Sequence, residues 1–220
     1  MRESKNQMKI GTLIATLIIF SAVSFSQEKY GSEFSVNLVI PSGPNAKFYN
    51  NGFGINGNFY YDLEKNIRVG LSLGYLRITA NSEEIRNQYE SIVSEGELEA
   101  SGSIRALPLM LTFKLITPDN PVRIYGLLEG GLWTYWTSVS GTFTNNGGEV
   151  KIDKSEFRSE AGFAAGMGFL FRLSRVLSLD ISFKYQFVQD SEYLNVNRSS
   201  IGTSRLTMIG LGLSWNFNIE

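Results

Sequence analysis

Hydrophobic and polar residues alternate along most of this chain with a period of two, and the alternation is sharpest near its end. From Ile209 to Ile219 every odd position is bulky and apolar (Ile209, Leu211, Leu213, Trp215, Phe217, Ile219), and every even one is small or polar (Gly210, Gly212, Ser214, Asn216, Asn218). Successive side chains of a strand point to opposite faces, so this segment has one apolar wall and one wall suited to water or close packing. The same pattern recurs upstream and predicts eight strands, near 33–40, 53–63, 67–75, 106–115, 122–142, 160–172, 177–187 and 206–219. The fifth is the hardest to phase, because both of its faces carry apolar groups; Gly130-Gly131 is expected to mark a bulge that switches its register. Pro108 lacks the N–H that a closed ladder needs, and predicts a bulge or a place above the paired zone.

The connections between these strands also alternate. Short turns follow the second, fourth and sixth strands, around 64–66, 117–121 and 174–175, while long loops follow the first, third, fifth and seventh. An up-and-down meander of this kind places every long loop at one end and both termini at the other. The loop at 80–101 has Asn81 and Glu84 at capping-box spacing and Ile85, Tyr89 and Ile92 at helical spacing, which predicts a short surface helix or an extension of the strands. Asn145-Asn146-Gly147-Gly148 opens the third long loop.

A soluble calycin-type barrel would share this meander, and the contents of the two faces separate the cases. A soluble barrel fills its inside with apolar groups and shows charge outside. Here the small-and-polar face is rich in glycine and carries isolated charges of both signs: Arg68, Lys114, Glu160, Arg172, Asp180 and Lys184, with Arg123 and Glu129 as further candidates. Each needs a partner, because a buried lone ion costs several kcal/mol. The opposite face is almost free of charge, as a lipid wall requires, since Lys or Arg at the bilayer midplane costs ~2–4 kcal/mol. Asp180 and Lys184 lie four residues apart on one face and, with Arg172 and Glu160 on the preceding strand, are expected to form one lumen network. Aromatic residues fall into two girdles. Tyr75, Trp133, Trp136, Tyr185 and Phe187 are expected at the outer interface, and Tyr61, Phe113, Phe169, Phe171, Trp215 and Phe217 at the inner one.

Composition then narrows the chemistry. The 220 residues contain no Cys and no His, which removes disulfides, thiolate nucleophiles, Cys/His metal sites and imidazole mechanisms. A net charge of -1 offers no global field for nucleic acid. No pair of acidic residues stands at a spacing that suggests carboxylate catalysis, and neither a cofactor nor a metal site is expected. The front of the chain reads as a cleavable signal peptide over 1–26: Arg2, Lys5 and Lys9 are basic, an apolar run begins at Ile10, and Ser24-Phe25-Ser26 supplies small residues for cleavage. The remaining 27–220 would be a single all-β domain, an antiparallel up-and-down transmembrane β-barrel.

On these residues the chain resembles the small outer-membrane β-barrel superfamily, the eight-stranded OmpA/OmpX/OmpW-like proteins of diderm bacteria. The most specific local likeness is Gly212-Leu213-Ser214-Trp215-Asn216-Phe217, similar to the C-terminal signal read by the barrel-assembly machinery, with Gly212, Trp215 and Phe217 in the signal positions. Gly210 stands where that pattern prefers a polar residue, and Asn218-Ile219-Glu220 runs past the usual terminal aromatic. The resemblance implies residence in the outer membrane, with lipid and the assembly machinery as partners. It also implies a non-enzymatic structural, adhesive or display role through the external loops. The alternative is a narrow pore or conduit for small, including hydrophobic, molecules, the role associated with the OmpW-like branch. Any external ligand is unspecified, and the lumen charges are expected to plug the interior rather than line a path, because eight strands enclose room for little more than side chains.

Overall fold

The computed structural model describes residues 30–43, 46–90, 97–118, 120–145, 148–188 and 204–217. Its strands are β1 (Tyr30–Ser42), β2 (Gly52–Glu64), β3 (Ile67–Thr79), β4 (Glu97–Ile116), β5 (Val122–Asn145), β6 (Gly148–Arg172), β7 (Leu177–Val188) and β8 (Ser204–Asn216). Each pairs antiparallel with its neighbours in the chain, and β1 pairs with β8 to close an eight-stranded barrel. The closing register sets Val36 against Leu211 and Leu38 against Ile209, so the apolar walls of the first and last strands merge. Among the described residues no helix is long and apolar enough to cross a membrane. Residues 1–29, which include the expected signal peptide, lie outside the described residues.

The outward face is a continuous apolar belt. Leu73, Leu111, Leu132, Phe163 and Leu211 are all more than half exposed, with Leu111 at 70%. An apolar surface of that extent fits lipid and would be an aggregation hazard in water. Inner-end aromatics cluster around Tyr30, whose ring lies 5.0 Å from Tyr61 and 5.9 Å from Phe59. At the outer end Tyr185 meets Phe187 edge-on at 4.8 Å, and Trp136 meets Phe157 at 5.3 Å.

Three expectations for the strands are corrected. Gly130-Gly131 is not a bulge: β5 keeps one register with β4 and with β6 along its whole length. Its odd residues Tyr125, Leu127, Glu129, Trp133, Tyr135 and Thr137 are therefore all buried inside, and Trp133 belongs to the interior rather than to the outer girdle. The strand looked apolar on both faces because the interior is itself partly apolar at its level.

Pro108 makes no bulge either. It sits inside, opposite Trp133 on β5. On the β3 side the ladder lapses between the Leu73–Leu109 and Leu76–Ala106 pairs and resumes in the same register. The missing N–H removes a rung without inserting a residue, and Gly74 leaves the proline ring its room: a Cβ there would lie 3.0 Å from Pro108 Cγ.

Finally, the third long loop is a hairpin. β5 and β6 stay paired out to Asn145 and Gly148, so β6 begins at Gly148 rather than near 160. Residues 149–159 carry polar groups on both faces because both faces leave the lipid, which hides the period that marks a membrane strand. At the 80–101 loop both alternatives occur together. A helix, α1 (Ser82–Glu90), precedes an early start of β4 at Glu97. Asn81 Oδ1 accepts from the Glu84 N–H at 3.4 Å, the first half of the capping box. Of its expected apolar stripe, Ile85 is half-buried, and the side chains of Tyr89 and Ile92 lie outside the described residues.

Candidate functional site

The barrel interior is built in layers because inward positions recur at every second residue of all eight strands. Nearest the inner end is an ionic layer. Lys114 Nζ lies 2.6 Å from Glu33 Oε2 and 3.7 Å from Asp180 Oδ2, and it stands over the Tyr125 ring, 4.5 Å from the centroid. The Tyr125 hydroxyl donates to both Asp180 oxygens, at 2.7 and 3.0 Å. Beside this group Arg68 grips Asp62 with two nitrogens, at 2.7 and 3.3 Å, and stacks 3.5 Å above the Tyr60 ring. The Tyr60 hydroxyl donates to Trp215 O at 2.9 Å and to Asn216 Oδ1 at 2.6 Å, which ties β2 to the last strand. Arg68, Lys114 and Asp180 are each only 2% exposed, so the lattice replaces hydration for groups with almost no access to water.

A second ionic group lies further out. Lys184 Nζ reaches Glu129 Oε2 at 3.4 Å, and Thr112 Oγ1 donates to Glu129 Oε1 at 3.2 Å. Above it the interior turns apolar. Val39, Leu76, Ile78, Ala106, Met110, Trp133, Tyr135, Val188, Leu206 and Met208 form one buried cluster, with Ile104 and Tyr49 packed against it. Tyr49 arrives from the β1–β2 loop through a bridge to Ala80. Burial pushes its hydroxyl up to about 12, and its ring packs partly buried against the cluster.

Of the charged residues singled out in the sequence, the structure brings Arg68, Lys114 and Asp180 together and adds Glu33 and Asp62, while Lys184 joins Glu129 instead. Glu160 and Arg172 are not neighbours. Arg172 is exposed at the inner end of β6, opposite Ser178, whereas Glu160 lies toward the outer end, opposite Trp133. The period of two places a residue on a face and leaves its height to the register, which explains why six charges on one face divide among levels. Glu33 had a signal of its own, a lone carboxylate on the polar face of the first strand. Asp62 had one too, at the corresponding face of the second.

Glycine on the inner face has a specific use. Tyr60 lies across from Gly31, Tyr125 from Gly168, and Trp133 against Gly162, where a Cβ would come within 2.6 Å of Trp133 Cδ1. Each of these three rings takes the room that an absent Cβ leaves on the facing backbone, which is how they fit inside eight strands.

The terminal segment is also in place. Gly212 faces inward against Ser35 of β1, where a Cβ would lie 2.8 Å from Ser35 Cβ. Trp215 is half-buried, and Phe217 is 53% exposed with its N–H bonded to Tyr30 O at 2.8 Å.

Residues 12–217 match the family model of the outer membrane protein beta-barrel domain. The chain belongs to that family. It is accordingly an outer-membrane barrel, and the apolar belt is its lipid wall. Curated proteins yielded no match. Among solved structures it is similar to the outer membrane protein OprG from Pseudomonas aeruginosa, with 12% identity, 88% of this chain and 98% of that one covered, and a TM-score of 0.50. Neisserial surface protein A follows, with 10% identity, coverage of 86% and 97%, and a TM-score of 0.49. The attachment invasion locus protein Ail of Yersinia pestis, solved with the heparin analogue sucrose octasulfate, shares 18% identity, with coverage of 86% and 97% and a TM-score of 0.45. At 12% identity the likeness to OprG shows the fold alone and leaves the role to this chain's own residues.

Outside the lipid belt the extended strands carry a second candidate surface. Its outward residues form rows across β4, β5 and β6: Glu99, Thr142 and Lys151; then Ser101, Ser140 and Asp153; then Ser103, Ser138 and Ser155; then Arg105, Trp136 and Phe157. The Ser101 and Ser140 hydroxyls are 2.9 Å apart. These rows pass from charge through hydroxyl to aromatic, and so mark where water gives way to lipid.

Proposed function

We propose that this protein is a non-enzymatic display barrel, whose packed interior anchors a rigid β-sheet at the cell surface for adhesion or envelope integrity. The observation that carries this reading is the β4–β5–β6 extension. Among the described residues β7 meets β6 no further out than Gly162, whereas β6 continues to Gly148 paired with β5. Those fourteen residues project on the order of 45 Å of strand at ~3.3 Å per residue. The interior supports it: an apolar cluster and two ionic groups occupy successive levels, which is the construction of a plug and not of a water-filled path. Hydroxyl and carboxylate rows on the projecting sheet suit a polar external partner.

Conductance tests this reading against the narrow-pore alternative. The purified full chain in a planar bilayer is expected to stay silent, and steady unitary conductance would favour the conduit. Export by cleavage after Ser26 and recognition by the assembly machinery belong to the same proposal. Gly212, Trp215 and Phe217 supply the recognised end, with Trp215 on the outward set of β8 and the Phe217 backbone bonded to Tyr30 O. Phe217→Ala is therefore expected to reduce the heat-modifiable, outer-membrane-inserted fraction several-fold. Phe183→Ala, in mid-belt and similarly exposed at 48%, should leave that fraction nearly unchanged. Equal insertion of the two variants would remove the assembly role.

A further inference from the structure

At the outer edge of the lipid belt, one row of outward side chains crosses five strands in the order Phe53, Arg77, Arg105, Trp136 and Phe157. Arg77 and Arg105 are paired directly across β3 and β4. Both are exposed, and both belong to the outward, lipid-facing set of their strands. Like charges opposite one another in a ladder repel, and Cβ atoms ~4.5–5.5 Å apart keep the two side chains close. Nothing in the lipid belt itself accounts for two guanidinium groups here, since the belt below them, at Leu73, Leu109 and Leu111, is apolar. The rings of Phe53 on one side and Trp136 and Phe157 on the other place the pair at headgroup depth. Above it, Thr79, Ser103, Ser138 and Ser155 present hydroxyls.

We infer that Arg77 and Arg105 form a seat for the phosphomonoester headgroup of an outer-leaflet lipid. The inference goes beyond the display reading and rests only on the lipid belt. Guanidinium groups hold phosphate oxygens through paired N–H donors, which gives geometry as well as charge. Two of them carry the charge that a phosphomonoester near -1.5 to -2 at neutral pH neutralises. The bound headgroup thus turns a repulsive pair into a bridged one. The flanking rings hold the acyl side, and the serine row faces the headgroup side. Arg205 provides an internal comparison: it is exposed on β8 beside Phe187, opposite Ser42, with no arginine across from it on either neighbouring strand.

The test uses the full chain in phosphatidylcholine nanodiscs doped with phosphatidic acid or with phosphatidylglycerol, followed by native mass spectrometry of the lipid retained. Wild-type protein is expected to keep one phosphatidic acid and to keep phosphatidylglycerol less well. Arg77→Gln/Arg105→Gln should lower retention of phosphatidic acid at least tenfold, whereas Arg205→Gln leaves it unchanged. Equal retention by the double variant overturns the seat. An equal loss in Arg205→Gln reduces it to diffuse charge, and equal retention of both lipids overturns the monoester match. All three side chains are exposed, so unaltered heat-modifiable migration on gels confirms that each variant keeps the barrel.

Discussion

Replacing Lys114 by methionine is expected to lower the unfolding free energy of the barrel by about 3–5 kcal/mol, the range for removing one partner of a buried ion pair. Lys114 lies between two carboxylates, Glu33 on β1 and Asp180 on β7, and belongs to β4. Without it, two acidic groups on strands separated only by β8 are left together in a space where neither reaches water. Tyr125 still donates to Asp180, but a hydroxyl brings no charge. The loss should be read from urea unfolding in detergent, by the shift between folded and unfolded bands on unheated gels. Lys114→Met combined with Glu33→Gln should recover part of the stability, because it removes a carboxylate along with the ammonium. A single variant within ~0.5 kcal/mol of wild type would mean that the ionic layer contributes little.

Gly168→Val is expected to cost about 3 kcal/mol, from overpacking and the loss of a charge-assisted hydrogen bond. A Cβ at this position runs into the terminal atoms of the Tyr125 ring and comes within 2.7 Å of Ile181 O. The carbonyl is fixed by the β6–β7 ladder, so the ring must leave, and its hydroxyl then leaves Asp180. Gly126 is the matched comparison. It stands next to Tyr125 on the same strand but faces outward, with nothing within 4 Å of an added Cβ. Gly126→Val should be neutral or slightly stabilising, since a branched side chain suits a strand and the site faces lipid. Tyr125→Phe separates the two parts of the Gly168 effect: it keeps the ring and deletes only the bond. Equal melting of the Gly126 and Gly168 variants, read by heat-modifiable migration, would refute the ring-on-glycine packing.

Most of the barrel was legible because lipid imposes a strict period on every strand that crosses it. Ile209, Leu211 and Leu213 read as one wall without reference to anything else in the chain. What was hidden lay where that constraint lapses. Lys151 and Asp153 stand on the same face as Phe163 and Met167, but beyond the lipid their polarity obeys no period, and the outer part of β6 passed for loop. Trp133 was misplaced for the opposite reason. A large ring is expected at an interface, and its place inside depends on Gly162 of the next strand, a cross-strand relation that no single segment displays. Asp180 and Lys114 could be placed on the inner face from their own strands. Their meeting depends on strand registers accumulated around the barrel. The separation of Glu160 from Arg172 needed no register, since both lie on β6 and the strand rise alone sets them about 40 Å apart.

The β5–β6 hairpin also bears on the order in which the chain assembles. Its ladder runs unbroken from Asn145–Gly148 to Val122–Phe171, so each new pair closes a loop only slightly larger than the last. The seam between β1 and β8 is the reverse case: Gly31 meets Asn216 only after nearly the whole chain has been brought round. Because the entropy lost on closing a loop grows with its length, contacts close in sequence form with less to overcome. The local hairpins, β5–β6 and its surface sheet among them, are therefore expected to form before the β1–β8 seam closes.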